Sequence, residues 1–249
     1  MKVILIVLAA SIVQFAPCKV WAGEALTVAV AANFYRPMQE IASAYEKQSG
    51  NRVRLVSGST GKLYAQIIQG APYQIFFAAD SRRPALLESQ GLIQPGSRFT
   101  YATGALVLWS MRDDLDLKAR GMKTLLDKRV KHIAIANPKT APYGHAAMQA
   151  LKAAGMDRMV RAKLVYGENI GQVFLFVRSG NADVGLVAAS STYQAGGRIS
   201  VAPSDSYDPI VQQAVVLRHA PETARRFTAF LSSETARKVL RKYGYGVSQ

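Results

Sequence analysis

The chain has 249 residues, 49% of them hydrophobic and 19% charged, with 31 Lys and Arg against 16 Asp and Glu for a formal charge of +15. That balance excludes a disordered tail, a collagen-like fibre and a polytopic membrane protein, and the length leaves room for one or two domains with sizeable cores. The positive surplus admits nucleic acid, an anionic membrane surface or a small anion as partner and does not choose among them.

The first element is a leader. Lys2 precedes an apolar run over 3–16 that is too short to span a bilayer, Pro17 breaks it, and Val20-Trp21-Ala22 offers a peptidase site. The pattern predicts a signal peptide over 1–22, cleaved after Ala22, and an exported protein. Cys18, the only cysteine, falls inside this leader, and Phe15-Ala16-Pro17 ahead of it fits a lipidation site poorly. The rest of the chain has no thiol for a disulfide, a thiolate metal site or a Cys nucleophile.

From residue 26 short β-branched runs alternate with longer amphipathic ones. Strands are predicted over 26–30, 53–56 and 75–79, and helices over 34–48, 62–69 and 81–90. Phe34, Met38, Ile41, Ala42 and Tyr45 share one face of the first helix, and Pro37 sits in its first turn, where a missing N–H is harmless. Further strands are predicted over 105–109, 132–136, 164–166, 184–187, 199–202 and 214–217. Helices follow over 143–154, 170–179, 222–231 and 234–243. Such alternation argues for an α/β fold with parallel sheets covered on both faces. Polar stretches at 101–104 and 204–208 read as two crossings between two lobes, one over 23–102 plus 210–249 and the other over 103–209. A single continuous sheet is the alternative.

Four helices open directly behind a strand with small or hydroxyl residues: Ala31-Ala32-Asn33, Ser57-Gly58-Ser59-Thr60-Gly61, Ala141-Pro142-Tyr143-Gly144 and Gly167-Glu168-Asn169-Ile170. Each alone reads as ordinary capping. In an open α/β sheet, however, ligands bind beyond the carboxyl ends of the strands, where such turns gather. Helix starts offer unpaired N–H groups and partial positive charge, which suit an anion. With added hydroxyls and an amide, the donors can hold an ionised oxyanion without Lys or Arg, and they penalise a protonated one, whose O–H would face another donor. The run Gly58-Ser59-Thr60-Gly61-Lys62 is not a phosphate loop, because Val56 and Leu63 stand where that motif needs Gly and a hydroxyl residue.

In order and spacing these segments, together with Thr27-Val28-Ala29-Val30, Gly70-Ala71-Pro72, Ala78-Ala79-Asp80 and Tyr243-Gly244-Tyr245, resemble the periplasmic molybdate-binding proteins of ABC importers. The resemblance runs over nearly all the chain beyond the leader. It implies a two-lobed periplasmic binding protein fold of type II, each lobe a mostly parallel sheet flanked by helices. It also implies a periplasmic location, a monomer, and molybdate or tungstate held between the lobes as cargo, with no cofactor. Delivery would be to an ABC permease and its ATPase. Carried over by position, the ligand-binding residues are Asn33 (side-chain or backbone donors), Ser59 and Thr60 (hydroxyl and N–H), Tyr143, and Ile170 through its N–H alone. Some members carry a further Tyr where this chain has Ala188, so the cage is differently built or one donor short. Sulfate and chromate are the alternative cargoes.

The residues carry no enzyme signature. His132, His145 and His219 lie in no zinc-type pattern, and no nucleophile elbow occurs. Asp113-Asp114-Leu115-Asp116 lacks the spacing of a Ca²⁺ loop and reads as a solvated loop. A deaminase that shares the two-lobed architecture tethers its cofactor through cysteine, which this chain lacks outside the leader. An exported basic nucleic-acid-binding protein is the competitor from another class. Against it, the basic residues are scattered as isolated pairs such as Arg82-Arg83 and Arg225-Arg226, without a recognised module.

Overall fold

Two five-stranded sheets, each flanked by helices, build the protein. The structure is a computed structural model and describes residues 25–246. The expected signal peptide, with Cys18 and the cleavage site after Ala22, lies outside the described residues. In chain order the elements are β1 (Leu26–Ala31), α1 (Tyr35–Ser49), β2 (Val53–Gly58), α2 (Thr60–Ile68), β3 (Ile75–Phe77), α3 (Arg82–Ser89) and β4 (Phe99–Gly104). They continue with β5 (Leu106–Ser110), α4 (Leu117–Arg120), β6 (Ile133–Ala136), α5 (Pro142–Ala153), β7 (Leu164–Gly167), α6 (Ile170–Arg178), β8 (Val184–Ala188) and β9 (Arg198–Val201). The chain closes with β10 (Ile210–Val216), α7 (Glu222–Phe230) and α8 (Glu234–Lys242). No helix among the described residues is long and apolar enough to cross a membrane.

The sheet orders are β2-β1-β3-β10-β4 and β7-β6-β8-β5-β9. In each sheet one strand opposes the direction of the rest: β10 in the first, β5 in the second. The reversed strand is in both cases the one that has just crossed from the other sheet. Only Ala105 separates β4 from β5, and a short polar segment separates β9 from β10. A strand that points its carboxyl end at the neighbouring lobe must enter that lobe pointing away, so the crossing dictates the reversal. The other strands all aim their carboxyl ends at the gap between the lobes.

Two sequence expectations are corrected here. The polar stretch 101–104 is not itself the crossing but the end of β4, paired with β10, and the crossing follows directly at Ala105. Tyr101 decides this: its ring is buried against Phe34 and Phe77, with centroids 4.5 and 5.2 Å away, and ring burial outweighs the weak strand preference of Ala102, Thr103 and Gly104. Likewise β10 begins at Ile210, four residues earlier than its apolar run, and carries the fully buried Gln212 beside a register shift at Gln212/Gln213.

Apolar clusters hold the frame. On one face of the first sheet Phe34, Met38, Ile41 and Tyr45 of the α1 region meet Phe77 and Phe227, and on the other Leu63 and Leu87 cover Phe76. In the second lobe Trp109 of β5 stacks on Phe174 of α6 with centroids 4.7 Å apart. Fully burying a side chain of this size stabilises the fold by about 1.5–3 kcal/mol, so the strand ends and helix starts at the gap rest on rigid supports.

Candidate functional site

The four helix starts singled out in the sequence converge between the lobes. Asn33, Ser59, Thr60, Tyr143 and Ile170, all buried, line one narrow pocket with about 190 Å³ of atom-free space, part of it open to solvent. No formally charged side chain lines it. The wider clefts on either side differ in this respect: one holds Arg82, Arg83 and Lys139, the other Arg36, Glu168 and Arg178.

How the helices are capped decides what the pocket offers. Ser59 caps α2, its Oγ accepting from Lys62 N at 3.4 Å, and Asn169 caps α6, its Oδ1 accepting from Gln172 N at 3.1 Å. Gln172 in turn accepts the Glu168 N–H at 2.6 Å, which fixes the entry to α6. At the other two starts the cap position is an alanine, Ala31 before the 3-10 turn Ala32–Phe34 and Ala141 before α5, and no side chain caps either. Alanine in place of a capping residue forgoes about 0.5–2 kcal/mol. First-turn N–H groups have no carbonyl to bond within their own helix, so Asn33, Thr60, Tyr143 and Ile170 bring such groups to one place, with the positive ends of their helix dipoles.

The hydroxyls have a common polarity. Thr60 Oγ1 accepts from Ala79 N at 3.1 Å, Ser59 Oγ from Lys62 N, and the Tyr143 oxygen from Gln212 Nε2 at 3.4 Å. No acceptor among the described residues takes up their protons. Burial and the neighbouring Tyr245 and Tyr207 hold the Tyr143 pKa well above the ordinary phenol value, so it keeps its proton. All three are therefore poised to donate.

Behind the pocket lies a buried polar network absent from the sequence reading. Both amide hydrogens of Asn33 are engaged, one by Gln212 Oε1 at 2.7 Å and one by the Tyr245 hydroxyl at 3.0 Å. This leaves the Asn33 backbone N–H as its donor toward the pocket, the second of the two options its position allowed. Tyr101 donates to Gln212 Oε1 at 2.9 Å, and Ser190 Oγ donates to Asn33 O at 3.1 Å. Tyr245 accordingly joins the C-terminal segment to the pocket wall. The one sequence signal for this network is the glutamine pair Gln212-Gln213 in the mostly apolar β10, of which Gln212 takes a core position.

The lobes touch directly. Gly61 N donates to Thr140 O at 2.8 Å, and Lys62 pairs with Glu168 across the gap at 2.9 Å. A Cβ on Gly61 would stand 2.8 Å from Thr140 O and 2.9 Å from Arg83 Nη2, so this approach needs glycine. The structure is thus a closed form.

Other sequence candidates lie elsewhere. His145 borders the neighbouring cleft, and His132 and His219 are exposed. In the acidic run, Asp114 pairs with Arg112 and Arg129, and Asp116 caps α4. Ala188 ends β8, fully buried.

Residues 26–246 match the model of the bacterial extracellular solute-binding protein family. The chain is 44% identical over 237 residues to the molybdate-binding protein ModA of Azotobacter vinelandii, covering 92% of each, and 42% identical over 228 residues to that of Rhodobacter capsulatus, covering 90% of this chain and 88% of the other. The solved periplasmic molybdate-binding protein of A. vinelandii superposes with a TM-score of 0.86 at 39% identity, over 90% of this chain and all of that one.

Proposed function

The chain belongs to the family of bacterial extracellular solute-binding proteins, and from that premise we propose that it is the periplasmic molybdate-binding component of an ABC importer. Its fold is the two-lobed type II periplasmic binding protein fold of its relatives. Tungstate, with the same charge and shape, is a second cargo. Molybdate is carried, not used as a cofactor. One observation carries the reading: four helix starts, two of them without side-chain caps, converge with three hydroxyls in an uncharged pocket between two touching lobes.

In this reading the two lobes follow the two sheets, the first lobe running through the end of β4 at Gly104 and resuming with β10 at Ile210, and the anion sits between them. Ser59 and Thr60 donate hydroxyl groups and Thr60 its N–H. Asn33 and Ile170 donate backbone N–H groups, and Tyr143 donates both kinds. Each such bond to a charged acceptor contributes about 1.5–3 kcal/mol. A donor-only cage takes the fully ionised anion and rejects protonated forms. Closure follows because only the closed arrangement assembles donors from both lobes, and that differential affinity drives it. The protein acts as a monomer, exported by the leader cleaved after Ala22, and hands the anion to a permease with its ATPase. It performs no covalent chemistry and binds no nucleic acid.

Calorimetric titration of the purified protein with molybdate, tungstate, sulfate and phosphate tests this. Molybdate and tungstate should bind at one site far more tightly than sulfate or phosphate. Equal binding of sulfate and molybdate would refute the assigned cargo.

A further inference from the structure

Gln212 lies outside the pocket lining, yet it touches two residues that the proposed function uses. Its carbonyl end accepts from Asn33 Nδ2 at 2.7 Å and from the Tyr101 hydroxyl at 2.9 Å. An amide nitrogen cannot accept, so the Asn33 contact fixes which end of Gln212 faces which way. The Nε2 group is left pointing at Tyr143, where it donates to the phenol oxygen at 3.4 Å. Gly104 makes room for this meeting: a Cβ there would fall 2.1 Å from the Tyr143 hydroxyl and 2.6 Å from Gln212 Nε2.

We propose that Gln212 is a positioning residue of the oxyanion site, which fixes the direction in which the Tyr143 hydroxyl donates. The inference rests on the oxyanion reading above. A phenol can donate or accept. With Gln212 Nε2 donating to its oxygen, the Tyr143 proton is turned away from Gln212, and among the described residues it meets no acceptor. The doubly charged guest then receives it. Asn33 and Tyr143 come from opposite lobes, so Gln212 also ties the polarity of one donor to the closed arrangement of both. The strand carrying it is the one that has just crossed between the sheets, and the register shift at Gln212/Gln213 lies at that residue.

A double-mutant cycle with molybdate as the probe tests this on the full protein. Gln212→Met should lower affinity about tenfold in the wild-type background, the value of one hydrogen bond to a charged group. In the Tyr143→Phe background the same change should cost no more than about twofold, because the hydroxyl it orients is gone. Gln212→Glu supplies a readout that simple loss of packing would not move. Its Oε1 still accepts from Asn33 and Tyr101, while the other oxygen donates to Tyr143 when protonated and accepts from it when ionised. Its molybdate affinity should therefore fall between about pH 5 and about pH 9, the span over which a buried Glu titrates, at least tenfold more than that of the Gln212→Glu/Tyr143→Phe double variant, which carries the same charge without the hydroxyl, while the wild-type profile stays flat. Should Gln212→Met fail to fold, the Glu profile decides. Additive losses in the cycle, or a Gln212→Glu profile no steeper than that of the double variant, would overturn the inference while wild-type binding leaves the functional reading standing. A wild-type protein that binds no molybdate would overturn both.

Discussion

The Gly61 N–H donates across the gap between the lobes to the carbonyl oxygen of Thr140, 2.8 Å away. Gly61 stands in the first turn of α2 and Thr140 just before α5, so this backbone bond joins two of the four helix starts that form the pocket. It exists only when the lobes are shut, and it requires that nothing project from residue 61.

Gly61→Ala should separate closure from folding. The added methyl would stand 2.8 Å from Thr140 O and push the lobes apart. With Thr140 moved away, the nearest remaining atom is Arg83 Nη2, the far end of a long side chain that can shift, and Ala favours a helix over Gly by about 1 kcal/mol. Molybdate affinity measured by calorimetry should fall at least tenfold, while the melting temperature of the ligand-free protein stays level or rises. A matching fall in both would show that residue 61 matters for folding alone.

Loss of single donors should weaken binding by comparable steps. Ser59→Ala and Thr60→Val each remove a hydroxyl whose oxygen accepts from the backbone and whose proton is unclaimed. Each should cost about 1–3 kcal/mol of binding free energy. Unchanged molybdate affinity in both variants would mean that the hydroxyls face elsewhere.

Ile170 offers a test of backbone recognition. It is the first residue of α6, a position that tolerates proline, and Asn169 before it has the extended backbone that proline prefers. Ile170→Pro removes the N–H and should lower affinity at least tenfold. Ile170→Val keeps the N–H and most of the packing and should stay within about twofold of wild type. Equal affinities for the two variants would remove Ile170 from the site.

Much of this was legible in the sequence because it rests on local chemistry. The period of Phe34, Met38, Ile41 and Tyr45 marks α1, and the strand-to-helix junctions at Ser59 and Ile170 are visible as short motifs. Their convergence follows from the general rule for strand ends. The polar network was not legible, because Gln212, Tyr101, Tyr245 and Asn33 are brought together by two chain crossings and by the last turn of the described chain. For the same reason the end of β4 looked like part of the crossing: its strand state depends on Tyr101 packing against residues more than twenty positions away. Which atoms of Asn33 remain available is likewise a tertiary property.

Asp183 predicts the acid response of the second lobe. Burial raises its pKa, but the N–H groups of His132 and Lys131, at 2.9 and 2.7 Å, and the Arg112 guanidinium at 2.7 Å outweigh this and hold it below the usual carboxylate value. A carboxyl depressed in the folded state stabilises it above the unfolded pKa, and that contribution is lost as pH falls through the folded value. Asp183→Asn should therefore lower the neutral-pH unfolding free energy by about 1–3 kcal/mol, and the gap to wild type should shrink on acidification toward and below pH 3.8, the ordinary value. A gap independent of pH in denaturant titrations would contradict this account.

The central claim is that neutral amide and hydroxyl groups from two lobes hold a doubly charged tetrahedral anion. A crystal structure of the protein grown with molybdate tests it most directly. The account predicts the anion between the lobes, its oxygens met by the hydroxyls of Ser59, Thr60 and Tyr143 and by N–H groups at Asn33, Thr60, Tyr143 and Ile170, with no Lys or Arg within hydrogen-bond reach. A molybdate gripped by guanidinium or ammonium groups, or seated in one of the flanking charged clefts, would contradict it.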